Sequence, residues 1–243
     1  MSACMVLERM LQSQGFGTRK ACRAMVRQGL VRVHGILEAD PFVEVPLTNL
    51  DFSVGDIAWH YQEKAYILLN KPAGFECSRA AMHHPSVLSL LPEPLRARGV
   101  QPVGRLDEDT TGLLLLSDDG PFIHRLTSPK HHVAKVYAVT TKHPVTAGQI
   151  AALCQGVQLH DTPEPVKAAA CEQVSSHLLH LTLTEGRYHQ VKRMLAAAGN
   201  RVEGLRRIRL GGLSLPDDLP ESGWRWLDDA ALQQIDAGGR LNR

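Results

Sequence analysis

One segment constrains this chain more than any other: Gly104-Arg105-Leu106-Asp107-Glu108-Asp109-Thr110-Thr111-Gly112-Leu113, running on into Leu114, Leu115 and Leu116. A glycine-bounded loop carrying an arginine and carboxylates leads directly into an apolar run that reads as a buried strand. The fold must therefore bring charged groups to the mouth of its own core. Enzymes hold a reactive carboxylate rigidly in this way, on a polar loop carried by a packed element. The plainer reading is a turn in which Asp107 or Asp109 accepts backbone hydrogen bonds, the commoner role of a single aspartate.

At 243 residues and 44% hydrophobic, the chain has material for a small module beside a larger one with its own core. Its apolar runs are a few residues long, far short of a bilayer span. Glu8 and Arg9 interrupt the apolar start, so no signal-peptide core forms, and a cytoplasmic protein without a membrane partner is expected. The five cysteines (Cys4, Cys22, Cys77, Cys154, Cys171) are scattered and include no Cys-x-x-Cys pair. That argues against both a disulfide scaffold and a structural zinc site. The histidine doublets His83-His84 and His131-His132 are poor chelators, because adjacent side chains point apart. Neither a metal nor another cofactor is expected.

Net charge is only +2, but its distribution is uneven. Up to Leu37 there are six basic residues (Arg9, Arg19, Lys20, Arg23, Arg27, Arg32) against Glu8 alone. From Glu185 to Leu210 there are seven (Arg187, Lys192, Arg193, Arg201, Arg206, Arg207, Arg209) against Glu185 and Glu203. Two basic patches on a nearly neutral chain suggest a polyanion met at two places. A solvated helix face accounts for either patch alone.

The N-terminal part reads as a helix over about Val6 to Gln14 and a second from Arg19 to about Gln28. Thr18 caps the second helix and Gly29 stops it. Its Cys22, Met25 and Val26 share one face, and Arg19, Arg23 and Arg27 recur every four residues on another. Leu30 to Val33 alternates as a strand and turns at His34-Gly35. Gly15-Phe16-Gly17 lacks the third glycine and preceding strand of a dinucleotide loop. From Met5 to Asp56 this arrangement resembles the S4 RNA-binding domain, with His-Gly where that domain usually turns on Asn-Gly. The resemblance implies RNA contacts from Arg19, Lys20, Arg23, Arg27 and Arg32.

Tyr61 to Lys64 reads as a linker, and Tyr66 to Asn70 as a buried strand ending in the turn Lys71-Pro72-Ala73-Gly74. Prolines over Ala80 to Val100 leave a short helix and loops. Lys135 to Thr141 is a β-branched strand, Thr146 caps a helix to Gln155, and Leu179, Leu181 and Leu183 alternate as a half-buried strand. That strand feeds Glu185 to Met194, then a helical end at Leu195 to Ala198 stopped by Gly199. The expected class is α+β: a small α-L-like module at residues 1–60, a mixed, largely antiparallel sheet domain at 61–238, and a tail at 239–243.

The Gly104–Leu113 string resembles the signature loop of the RsuA/RluA group of pseudouridine synthases. Leu69-Asn70-Lys71-Pro72-Ala73-Gly74, Lys135-Val136-Tyr137 and His189-Gln190-Val191-Lys192 resemble further motifs of that group. The resemblance implies that Asp107 is the indispensable catalytic residue, that Tyr137 stacks on the target base, and that Lys192 is the cation paired with Asp107. Arg187 is the second candidate for that pairing. It further implies RNA contacts from Arg105, Arg187, His189, Gln190 and Arg193, and a cofactor-free isomerisation of uridine to pseudouridine. A carboxylate suits that chemistry either as nucleophile or as base, and the residues leave both roles open. Ser128 to His132, Gly156 to His160 and Glu185 to Met194 resemble the RsuA branch, which acts on small-subunit 16S rRNA. Ribosomal RNA within an assembling small subunit, and its position-516 uridine, are the implied partner and target, with a monomeric enzyme. The competing readings are a large-subunit 23S rRNA target, a non-catalytic S4-type assembly factor, and a metal-dependent phosphodiesterase built on Asp107, Asp109, Asp118 and Asp119.

Overall fold

The computed structural model describes residues 3–237. The expected tail at 239–243 lies outside them, as do the first two residues of the first module and the last of the second. The chain divides into two compact units, one of residues 3–65 with Leu88–Gln101 and one of Tyr66–Val87 with residues 102–237. Residues 88–101, read from sequence as part of the second module, thus cluster with the first.

In the first unit, helices Leu7–Ser13 and Arg19–Arg27 pack over a four-stranded sheet in the order Ile36–Leu37, Val31–Val33, Asp51–Val54, Ile57–His60. The Thr18 hydroxyl accepts the Ala21 N–H at 3.2 Å, which caps the second helix. Cys22 and Val26 from that helix meet Leu7, Met10 and Leu11 from the first in one core with Val31, Val33 and Phe52. His34 and Gly35 both adopt positive φ (49° and 81°), the twist that a two-residue hairpin between these strands requires. The strand Ile57–His60 continues the sheet beyond Asp56, where the S4 resemblance ends, and stays within the module expected at residues 1–60.

The second unit is an α+β domain on one largely antiparallel sheet. Its main path runs Ala170–Ser175, Leu178–Leu183, Lys135–Thr141, Val202–Leu210, Thr111–Ser117, Tyr66–Lys71, Trp224–Trp226. Every neighbouring pair on that path is antiparallel except Val202–Leu210 with Thr111–Ser117, which is parallel. Leu113 to Leu116 are wholly buried, so this central strand is covered on both faces. Leu113 and Leu115 pack with Leu68, Val103, Phe122, Leu126 and Leu210. Three strands of that main path went unread in the sequence: Ala170–Ser175, Val202–Leu210 and Trp224–Trp226. The helix expected near Leu195 starts earlier and spans Gln190–Ala197, so Lys192 and Arg193 ride on its first turns. Arg206, Arg207 and Arg209 lie in a sheet strand, so the second basic run is not one solvated face.

Two contacts fix the loop that precedes Thr111–Ser117. Gly112 (φ +99°) lies against the neighbouring strand so closely that a Cβ there would stand 2.3 Å from the Arg207 carbonyl oxygen. Only glycine allows that approach and that backbone angle together. Lys71, at 0% exposure, closes the other side. Its ammonium donates to the carbonyl oxygens of Pro72, Glu108 and Thr110, each at 2.9 Å. All three of its donors are therefore used. Burial pushes the Lys71 pKa down, opposed by the charges of Cys77, Glu108, Asp109 and Asp107.

Replacing Lys71 with methionine keeps the volume but leaves these buried carbonyls without donors. The expected result is a loss of about 2–3 kcal/mol or more on denaturant unfolding. A variant as stable as the parent would show that the loop does not depend on this ammonium.

Candidate active site

The loop, the start of one strand, the later part of another and the entry to a helix line a cavity of about 420 Å³ in the second unit. Arg105, Leu106, Asp107 and Thr110 contribute from the loop, Lys135 and Tyr137 from one strand, Leu205 and Arg207 from another, and residues 183–191 from the end of a third strand through the first turn of the Gln190 helix. That volume falls in the range of small-molecule clefts. The loop closes on itself through main chain, the Thr110 N–H donating to the Asp107 carbonyl at 3.1 Å. The carboxylates are thereby left to face side chains. The turn and the charged site are the same structure.

Asp107 lies between two bases of the helix entry. His189 Nε2 is 3.6 Å from one carboxylate oxygen and Lys192 Nζ is 3.8 Å from the other. Lys192 stands nearer to Asp109, whose two oxygens both lie 2.7 Å from Nζ. The pairing expected between Lys192 and Asp107 is thus shared, with Asp109 in direct contact and Asp107 at the edge of ion-pair distance. Arg187, the other candidate, turns instead to Glu185, its Nε donating at 3.1 Å. His189 adopts φ 48° at the start of the helix, and its ring stacks on Tyr188 at 3.8 Å. Tyr188 is 74% exposed.

Tyr137 is buried in the strand Lys135–Thr141 with its ring at the cavity. Arg105 is exposed at the rim. Gln190 is buried and braces the helix entry: its amide donates to Glu185 at 2.9 Å and its carbonyl accepts the Arg187 N–H at 2.9 Å. Its polar atoms run inward, which departs from the expected RNA contact. Arg193 pairs with Asp161 and also donates to the Tyr188 carbonyl at 3.2 Å. In the first unit Arg19, Lys20, Arg27 and Arg32 are exposed. Arg23 pairs with the buried Glu8 through two guanidinium nitrogens, so it stands apart from that stripe. The pairing holds the Glu8 carboxyl below its ordinary range.

Lys71 and Arg207 were not singled out in the sequence as site residues, and Asp109 entered only the metal-dependent reading. Lys71 follows an apolar strand and reads as part of a turn, and Arg207 sits among three arginines that read as surface. Only their burial, which depends on distant chain, separates them. Among the described residues no group of three or more His, Cys, Asp or Glu is placed to hold a metal ion. No helix among them is long and apolar enough to cross a membrane.

Comparison with known proteins places the chain in a family. Residues 65–197 match the family model of RNA pseudouridylate synthase. The chain is 38% identical over 232 residues to ribosomal small subunit pseudouridine synthase A of Escherichia coli strain K12, covering 95% of this chain and 100% of that one. It is 38% identical over 218 residues to the protein of the same name from Haemophilus influenzae, covering 90% and 94%. A solved structure titled as a crystal structure of pseudouridylate synthase superposes with a TM-score of 0.68 at 37% identity, covering 94% of this chain and 98% of that one. The match to the family model, with these identities over nearly the whole length, means that the chain belongs to the RNA pseudouridylate synthase family.

Proposed function

We propose that this pseudouridine synthase acts on small-subunit ribosomal RNA, with Asp107 as its reacting carboxylate. The observation that carries the reading is a carboxylate held between His189 and Lys192 at a cavity that Tyr137 also lines. Two neighbouring basic side chains fix the direction of that carboxylate. The buried tyrosine offers a ring face to a base taken out of its stack. Isomerisation breaks the C1′–N1 bond, turns the base and rejoins it through C5. An ionised carboxylate serves this either by bonding to C1′ or by taking a proton from the sugar.

The relatives' names, ribosomal small subunit pseudouridine synthase A, support small-subunit ribosomal RNA as the substrate, and the position-516 uridine of 16S rRNA is the target that the resemblance to the RsuA branch implies. The substrate is then rRNA in an assembling subunit, met in the cytoplasm by a monomer. The first unit serves as the S4-type RNA anchor through Arg19, Lys20, Arg27 and Arg32, whose exposure supports that role. Arg105 contacts RNA at the cavity rim, and the exposed Tyr188–His189 stack extends the surface available to it.

Asp107→Asn keeps the shape of the side chain and removes its charge. Pseudouridine formation in a 16S transcript should vanish while RNA affinity changes little, because phosphate contacts are spread over many cations. Near-parental turnover in this variant would remove Asp107 from the chemistry. Lys192→Met should lower kcat by about tenfold or more with little change in Tm, and Lys192→Arg should recover part, since a planar fork fits this shared position imperfectly. Full activity of Lys192→Met would mean that His189 alone suffices to hold the carboxylate. Neutralising Arg19, Arg27 and Arg32 together should weaken RNA binding and lower the slope of log K against log salt by roughly 0.7–0.9 per lost phosphate contact. An unchanged slope would place the RNA elsewhere.

A further inference from the structure

Arg207 is 2% exposed, yet it has no acid to answer it. Its Nε donates to the Leu113 carbonyl at 2.8 Å, while Nη2 is buried without a hydrogen-bond partner. No carboxylate among the described residues lies within ion-pair distance of it. The Thr110 hydroxyl, 1% exposed, is likewise unpartnered and lines the same cavity. Lys135 lines it too, its ammonium donating to the Val133 carbonyl at 3.0 Å. Burial, and then the charge of Arg207, push the Lys135 pKa down to about 8, against the opposing charge of Glu185. A buried guanidinium without a counter-charge is costly, and a ligand entering the cavity can supply the missing acceptor. The cations nearest Asp107 are held by carboxylates, whereas Arg207 keeps a donor free.

We propose that Arg207, with Lys135 beside it, receives a carbonyl oxygen of the flipped uracil and stabilises the negative charge that the base acquires when it leaves the sugar. The proposal rests on the pseudouridine synthase reading of the site and adds to it the group that takes the leaving charge. When C1′–N1 breaks, its electron pair stays with the base and spreads from N1 onto O2 and O4. If Asp107 bonds to C1′, that bond replaces C1′–N1. If Asp107 takes the C2′ proton, the C–H pair forms a C1′–C2′ double bond. Both routes release the same uracil anion. C1′ then bonds to C5 as Asp107 departs or returns its proton, C5 loses its proton, and N1 gains one. Charge on the base thus exists only part-way through the reaction, which is where a preorganised buried donor is most effective.

The test compares the parent, Arg207→Gln, Arg207→Lys and Lys135→Gln on a 16S transcript, with kcat, KM and Tm read for each. Arg207→Gln should lose about 10²-fold or more in kcat with little change in KM, and Arg207→Lys should recover part of that loss. A second substrate carries fluorine at C5 of the target uridine, and C1′–N1 cleavage is followed in a single turnover. Fluorine stabilises the departing anion, so the deficit of Arg207→Gln should shrink on this RNA. If Arg207→Gln does not fold, Lys135→Gln reads the same anion from the half-buried neighbour and should show a smaller kcat loss that fluorine again narrows. A variant with parental kcat, or a deficit equal on both substrates, overturns the proposal. A rise in KM alone reduces Arg207 to a ground-state contact and overturns it as well. If the parent itself forms no pseudouridine, the enzyme reading falls and takes this proposal with it. Parental activity with an undiminished Arg207→Gln removes this proposal alone.

Discussion

The Lys71 ammonium holds the site in place. A lysine with no exposure is costly to bury, and the fold offsets that cost by aiming three carbonyl oxygens at it. Two of them, from Glu108 and Thr110, belong to the turn that presents Asp107 and Asp109. The third belongs to Pro72, at the end of the strand that neighbours Thr111–Ser117. One cation therefore ties the carboxylate loop to the sheet from below, with no carboxylate among its hydrogen-bond partners. The acids stay available to His189 and Lys192.

The charges of the second unit then sort by depth. At the mouth, Asp107 and Asp109 share Lys192, Glu185 faces Arg187, and Asp161 faces Arg193. These groups remain partly exposed, and their mutual attraction is screened by salt. Inside, Arg207 and Lys135 stand where screening is weak and each unmatched charge matters more. Gln190 separates the two levels by tying the Glu185 side chain to the helix entry. A substrate that enters exchanges water for fixed dipoles and charges already aimed.

What the sequence made legible was local. The leucine run, the strands at Tyr66 and Lys135 and the alternation at Leu179 carry their own periodicity. Thr18 and Thr146 carry their own caps, the latter completed by Gln149 as a capping box. The signature loop was legible as a string, and its Gly104 to Asp107 and Thr110 line the cavity. What was not legible depends on partners far away in the chain. Val202–Leu210 hides as a strand because Arg206, Arg207 and Arg209 interrupt its apolar pattern, and Ile57–His60 hides behind a turn that reads as an ending. Gln190 and Arg23 carry polar groups suited to RNA, and only packing shows that Glu185 and Glu8 engage them. Whether Lys192 prefers Asp107 or Asp109 is a matter of about an ångström, which no spacing rule can supply.

The placement of Thr111–Ser117 has a kinetic consequence. One of its neighbours, Tyr66–Lys71, is translated before it, but the other, Val202–Leu210, comes some ninety residues after it. Until that later strand emerges, Gly112 has no backbone to lie against, and the cavity lacks the wall that Leu205 and Arg207 provide. Trp224–Trp226 comes later still and completes the edge beside Tyr66–Lys71. Pairings of such separation are slow to close, since the intervening chain must first be gathered in. During synthesis the carboxylate loop is thus held on one side only, and a nascent chain short of residue 210 carries the signature without the site.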